Sequence, residues 1–101
     1  MNLVFFDLES QKLFQDVGGR DPSKLLLACG VTWSTERNEF AVYWEKDAQA
    51  LVAELKFADK VIGFNIISFD YEVLKPYAPA YFSKLPHFDI LKKFKEIPAT
   101  E

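Results

Sequence analysis

Residues 3–8 form an apolar run broken only by Asp7. Continuous rather than alternating hydrophobicity predicts a central strand buried on both faces, in a sheet with helices packed on it. Residues 10–24 turn polar, and Gly18-Gly19 and Asp21-Pro22 mark a loop. Residues 24–33 and 39–45 read as two further strands, joined by the short polar link 34–38 as an antiparallel hairpin. Asp47 stands where it can cap a helix whose apolar residues Ala48, Leu51, Val52 and Leu55 recur at i, i+3, i+4 and i+7. Residues 61–64 make a short buried strand. Ser68 can then cap a second helix bearing Phe69, Val73 and Leu74, which ends near Pro76. Residues 77–86, with Pro79 and Pro86, predict loop or broken helix, residues 88–91 a fifth short strand, and residues 92–96 the start of another helix. This order predicts one α/β domain over residues 1–101, with a mixed sheet of three antiparallel strands followed by parallel strands joined by helices.

Composition narrows the class. Half of the 101 residues are hydrophobic and 16% are aromatic, enough for one packed core and too apolar for a disordered tail. The single cysteine, Cys29, excludes an intrachain disulfide, and its apolar surroundings predict a buried small hydrophobe. No stretch approaches the ~20 apolar residues of a membrane span. The start, Met-Asn-Leu-Val-Phe-Phe-Asp, lacks a basic leader, so a cytoplasmic location is expected. The formal net charge of −3 argues against binding driven by non-specific attraction to phosphates. It is also the charge that three carboxylates would lose on binding cations.

Asp7 and Glu9 stand two apart on the first strand, so their side chains share a face. They lie at its carboxyl end, where open α/β sheets place their sites. Two like charges there repel, and a hard divalent cation such as Mg²⁺ or Mn²⁺ relieves the conflict. The alternative is that the strand simply ends and both acids are solvated, and the spacing by itself does not separate the two. Asp70 follows the fourth strand in Gly63-Phe64-Asn65-Ile66-Ile67-Ser68-Phe69-Asp70. It could merely complement a helix dipole. If strands one and four run parallel side by side, however, Asp7, Glu9 and Asp70 converge on one cleft.

The segments Phe5-Phe6-Asp7-Leu8-Glu9 and Val61 to Tyr71 resemble the first two motifs of the DEDD 3′→5′ exonucleases of the ribonuclease H-like superfamily. The resemblance implies two divalent cations, Mg²⁺ or Mn²⁺, one activating the attacking water and the other stabilising the leaving oxygen. It implies that Asp7 bridges the metals, that Glu9 and Asp70 each bind one, and that Asn65 lies near the substrate, the 3′ end of single-stranded DNA or RNA. Asp89, in His87-Phe88-Asp89, matches the family's aspartate that opens the helix after the fifth strand, a structural position.

The family's fourth carboxylate, preceded by a His or Tyr, has no counterpart here. The later acids are Glu72, Asp89, Glu96 and Glu101, and His87 has the wrong spacing. The chain is therefore expected to be the N-terminal part of such a domain, weakly active or inactive by itself, with part of one sheet face uncovered. A face of that kind implies self-association or a partner. The rival expectation is a binding or assembly module that kept the fold and lost catalysis. Lys84, Lys92, Lys93 and Lys95 make a basic stretch read as a solvated face, and Trp33, Trp44, Tyr77 and Tyr81 as core or rim aromatics rather than base-stacking platforms.

Overall fold

The computed structural model describes residues 1–78 and 82–98. Five strands form one sheet in the order β3-β2-β1-β4-β5: β1 Leu3–Ser10, β2 Leu27–Ser34, β3 Glu39–Trp44, β4 Lys60–Gly63 and β5 His87–Asp89. β1 pairs antiparallel with β2 and parallel with β4; β2–β3 is an antiparallel hairpin and β4–β5 a parallel pair. The mixed α/β architecture thus follows the predicted order, with β1 central. Among the described residues no helix is long and apolar enough to cross a membrane.

Val4, Phe6 and Leu8 project from one face of β1 into the core, joined by Leu27 and Val61 from the neighbouring strands. Helix α2 (Ala48–Phe57) covers that face with the predicted Leu51, Val52 and Leu55. Asp47 precedes α2 as expected, but a 3-10 turn over Glu45–Asp47 leads into the helix and the Asp47 side chain makes no cap bond. Glu54 is the buried polar residue of α2. It accepts from Thr32 Oγ1 at 2.6 Å and from the Tyr43 hydroxyl at 2.7 Å, and pairs with Arg37. Burial opposes its charge, yet these donors outweigh burial and hold its carboxyl below the ordinary value. The cluster fastens α2 to the β2–β3 hairpin.

The opposite face corrects one expectation. β1 is not buried on both faces: Phe5 and Asp7 are exposed. The registers align Phe40, Trp33, Phe5, Ile62 and Phe88 in one row across all five strands. Trp33 and Phe40 meet edge to face at 4.6 Å, and Phe40 remains 69% exposed. A continuous apolar run therefore did not distinguish two buried faces from one buried face and one open apolar face.

Other boundaries shift for local reasons. β2 begins at Leu27 rather than Lys24, because Pro22–Lys24 coils as a 3-10 turn and Leu26 adopts a left-handed φ of 64°. The polar segment after β1 contains a one-turn helix, α1 (Phe14–Val17), stopped by Gly18 at φ 69°. Ser68 is no helix cap: it lies within a π-type turn, Ile66–Asp70, and only the single turn α3 (Tyr71–Leu74) follows before Lys75–Tyr77 tightens at Pro76. β5 and α4 (Ile90–Glu96) both begin earlier than expected. Phe82–Lys84 forms a 3-10 turn, and Pro79 lies outside the described residues.

Gly63 closes β4 against β1. A Cβ at this position would stand 2.8 Å from the Phe6 carbonyl oxygen and would overlap Ile66. Backbone cannot yield as a flexible side chain can. Gly63→Ala is therefore expected to lower unfolding stability by ~1–3 kcal/mol, the range of an overpacked core. Urea unfolding monitored by tryptophan fluorescence checks this, and an unchanged midpoint would show that the turn relaxes freely.

Candidate functional site

β1 carries Asp7 and Glu9 onto its open face, opposite Val31 and Cys29 of β2. Both acids are exposed. The β1–β2 register breaks between Glu9 and Ser10, a bulge of the kind found where a strand end is re-aimed. On the other flank, pairing with β4 ends at Phe5–Ile62, so β1 extends beyond its parallel neighbour and Asp7 lies past the last paired residue. Asp7 also lines an apolar cleft of about 400 Å³ together with Phe5, Trp33 and Ile90.

The chain leaving β4 returns to this place. Asn65 turns it with a left-handed φ of 57°, a conformation Asn tolerates better than most residues. The π-type turn follows, in which the Tyr71 N–H donates to the Ile66 carbonyl five residues back. Such wide turns recur at functional sites because they re-aim a side chain within a helical segment. Here the result is a buried Asp70, 4% exposed, whose Oδ2 has no hydrogen-bond partner. Burial, then the charge of Asp7 and more weakly that of Asp89, push Asp70 up to about 7, against donation from its own N–H and that of Leu8. A buried carboxyl with an orphaned oxygen beside a second carboxylate has two stable states: it keeps a proton, or a cation neutralises it. The donor set is all oxygen, which suits a hard divalent ion.

The structure thus brings Asp7 and Asp70 within electrostatic reach of each other. Glu9 shares Asp7's face, and of the two it is Asp7 whose charge raises Asp70 most. Among the described residues, no group of three or more His, Cys, Asp or Glu side chains is placed to hold a metal ion. Asn65 stands on the turn itself; its side-chain oxygen accepts from Ser68 Oγ at 2.6 Å and its N–H donates to Asp89 at 2.8 Å.

Asp89 occupies the structural position expected of it. Its carboxylate caps α4 through the Leu91 and Lys92 N–H groups and also accepts from Asn65 and Ile67, which holds it below the ordinary value despite burial. Tyr71 was not singled out from the sequence, where it reads as an apolar helix residue. Its buried hydroxyl has no partner and, through burial and then the charges of Asp70 and Asp89, is pushed up.

The remaining candidates have ordinary settings. Glu72 pairs with Lys75 and Glu96 with Lys93, both at 3.4 Å. His87 directs Nδ1 at the Leu85 carbonyl, 2.8 Å away. Cys29 is only half-buried, because it faces the open side of the sheet rather than the core. Trp33 is half-buried in the apolar row and Trp44 is exposed. Tyr77 pins the start of β2: its hydroxyl accepts from the Leu27 N–H at 2.9 Å and donates to Glu45 at 2.7 Å. Tyr81 and Glu101 lie outside the described residues.

Asp70 makes the metal-free protein pH-sensitive with a defined sign. Its folded value of about 7 exceeds the ordinary 3.8, so between these limits the folded chain holds a proton that the unfolded chain has released. That contribution is complete below about pH 4 and is lost as pH rises through 7, with a slope of up to ~1.4 kcal/mol per pH unit. In EDTA, Asp70→Asn is expected to unfold at higher urea than the parent at pH 8 and to lose this slope. Parallel pH–stability curves for the two proteins would contradict the assignment.

No protein-family model matches this sequence, and no curated protein does either. Solved structures do match. The family B DNA polymerase from the hyperthermophilic archaeon Pyrobaculum calidifontis superposes with a TM-score of 0.68 at 16% identity, over 96% of this chain and 16% of the polymerase. Escherichia coli Exonuclease I in complex with a dA16 oligonucleotide gives 0.63 at 16% identity, over 94% of this chain and 29% of the other. A zinc-bound complex of the same exonuclease with single-stranded DNA also gives 0.63 at 16% identity, over 93% and 29%. The chain thus spans less than a third of each of these proteins. At this identity the likeness shows the fold, which is ribonuclease H-like.

Proposed function

We propose that this chain carries the first part of a two-metal DEDD-type 3′→5′ exonuclease site, acting on the 3′ end of single-stranded DNA or RNA. The observation that carries the reading is the buried, partnerless Asp70 oxygen of a carboxyl that feels the charge of Asp7 at the carboxyl end of the central strand. Its support is a fold shared with Exonuclease I, which has been crystallised with single-stranded oligonucleotides.

In this reading Asp7, Glu9 and Asp70 would hold Mg²⁺ or Mn²⁺. Bound ions supply positive charge for the attacking water and for the leaving oxygen. The protein's own groups do the rest. The Leu8 N–H favours the ionised form of Asp70, and a bound cation would favour it further. Asn65, on the rim, meets the substrate. Among the described residues no fourth carboxylate and no water-orienting His or Tyr joins these acids, so turnover by the 101 residues themselves is weak or absent. Each tenfold loss corresponds to ~1.4 kcal/mol of barrier.

The uncovered apolar row favours a second reading, a ribonuclease H-like binding or assembly module without catalysis, in which a partner or another copy covers Phe5, Phe40 and Phe88. Calorimetric titration with Mn²⁺ separates the two. The metal reading expects saturable binding that disappears in Asp7→Ala and weakens at least tenfold in Asp70→Asn. Titrations that are flat for the parent protein leave the binding module. Incubation with a 3′-labelled oligonucleotide and Mn²⁺ should release nucleotide slowly at most, and none in Asp7→Ala. Fast release by the parent would refute the claim of weak activity.

A further inference from the structure

A second cleft opens beyond the apolar one that Asp7 lines. It encloses about 330 Å³ between the π-type turn and α4, and Asn65, Ser68, Asp89, Leu91, Lys92 and Lys95 line it. Asp89 keeps its negative charge there, one against the two of Lys92 and Lys95, but its oxygens are already engaged. Its oxygens accept from the N–H groups of Asn65 at 2.8 Å, Ile67 at 3.1 Å, Leu91 at 3.1 Å and Lys92 at 3.4 Å. Those contacts also occupy the first N–H groups of α4, so neither the carboxylate nor the helix end remains for a ligand. Side chains do. Lys92 and Lys95 are three apart on α4 and so share a face. Both are exposed, and among the described residues neither has an ion-pair partner, whereas Lys93 pairs with Glu96. Asn65 Oδ1 is taken by Ser68, which leaves the Asn65 amide as a donor.

In a chain of net charge −3, two ammonium groups on one wall of a cleft, without an ion-pair partner among the described residues, favour an anion. The position of the cleft says which kind. It lies at the carboxyl ends of β4 and β5, and the sheet order runs β1-β4-β5. Neighbouring strands are ~4.8 Å apart, so β5 lies ~10 Å from β1, where Asp7 stands. A single strand with its 3′ end at Asp7 and Asp70, running on toward β5, would carry its next phosphates past this cleft. We infer that the second cleft seats a backbone phosphate of that single strand, with Lys92 and Lys95 supplying the charge and the Asn65 amide a hydrogen bond. The inference rests on the exonuclease-type reading for the direction of the strand, but its binding chemistry requires no metal ion.

The test is fluorescence anisotropy of 5′-labelled dT12 in EDTA, over a series of salt concentrations. Lys92→Gln/Lys95→Gln keeps most of the side-chain stems and is expected to bind at least about tenfold more weakly, with the slope of log K against log salt shallower by about 1. Lys84→Gln/Lys93→Gln removes the same charge away from the cleft and is expected to change binding less than about threefold. The inference is overturned if the two double variants weaken binding equally, if Lys92→Gln/Lys95→Gln binds like the parent, or if the parent does not bind dT12. It is also overturned if inorganic phosphate displaces dT12 at a concentration equal to that of the strand's own phosphates, since the site would then take the free ion. Failure of the nuclease reading shows separately, as an absence of saturable Mn²⁺ binding while dT12 binding in EDTA persists.

Discussion

The close approach of Gly63 to the Phe6 carbonyl is the constraint on which the site depends. It lets β4 end flush against β1, so that the chain must turn sharply at Asn65 and coil through a wide turn instead of a regular helix start. That path delivers Asp70 beneath the end of β1, where water is excluded and the Leu8 N–H is available. A side chain at residue 63 would push the two strands apart and take the carboxyl away from Asp7. The geometry of one missing Cβ therefore governs the electrostatics of a group seven residues later.

Two carboxyl environments follow from the same turn. Asp89 gathers backbone N–H groups from both the turn and α4, and its charge is thereby stabilised despite burial. Asp70 is buried without comparable donors and faces other negative charges, so its charge is disfavoured until something positive arrives. One acid builds the structure and the other is left poised for a ligand. The fold also divides into two unlike faces. α2 and the Glu54 cluster seal one side of the sheet, while the other presents an apolar row ending near the acids.

The secondary structure was largely legible because α2 and the β2–β3 hairpin announce themselves by periodicity and by a polar link of suitable length. Ser68 satisfies the local rule for a cap, a serine ahead of an apolar helical pattern. Its hydroxyl instead closes on Asn65 within the turn, a choice set by how β4 meets β1. Leu26 shows the same limit, since nothing local favours a left-handed leucine. The Tyr77 hydroxyl holds the neighbouring Leu27 N–H from 50 residues away.

The sequence by itself determined the order of elements, the shared face of Asp7 and Glu9, and the motif spacing that singled out Asn65, Asp70 and Asp89. Each of these is local, because strand alternation, helix period and short-range turn chemistry are written in neighbouring residues. Tertiary structure decided the rest. It decided that Phe5 and Asp7 lie exposed on the second face of β1, that Asp70 is buried within reach of Asp7's charge with an oxygen unpartnered, and that the solvated Lys92 and Lys95 also line a cleft. These are matters of which distant segments exclude water from one another, and burial of that kind is a property of the assembled chain rather than of any window along it.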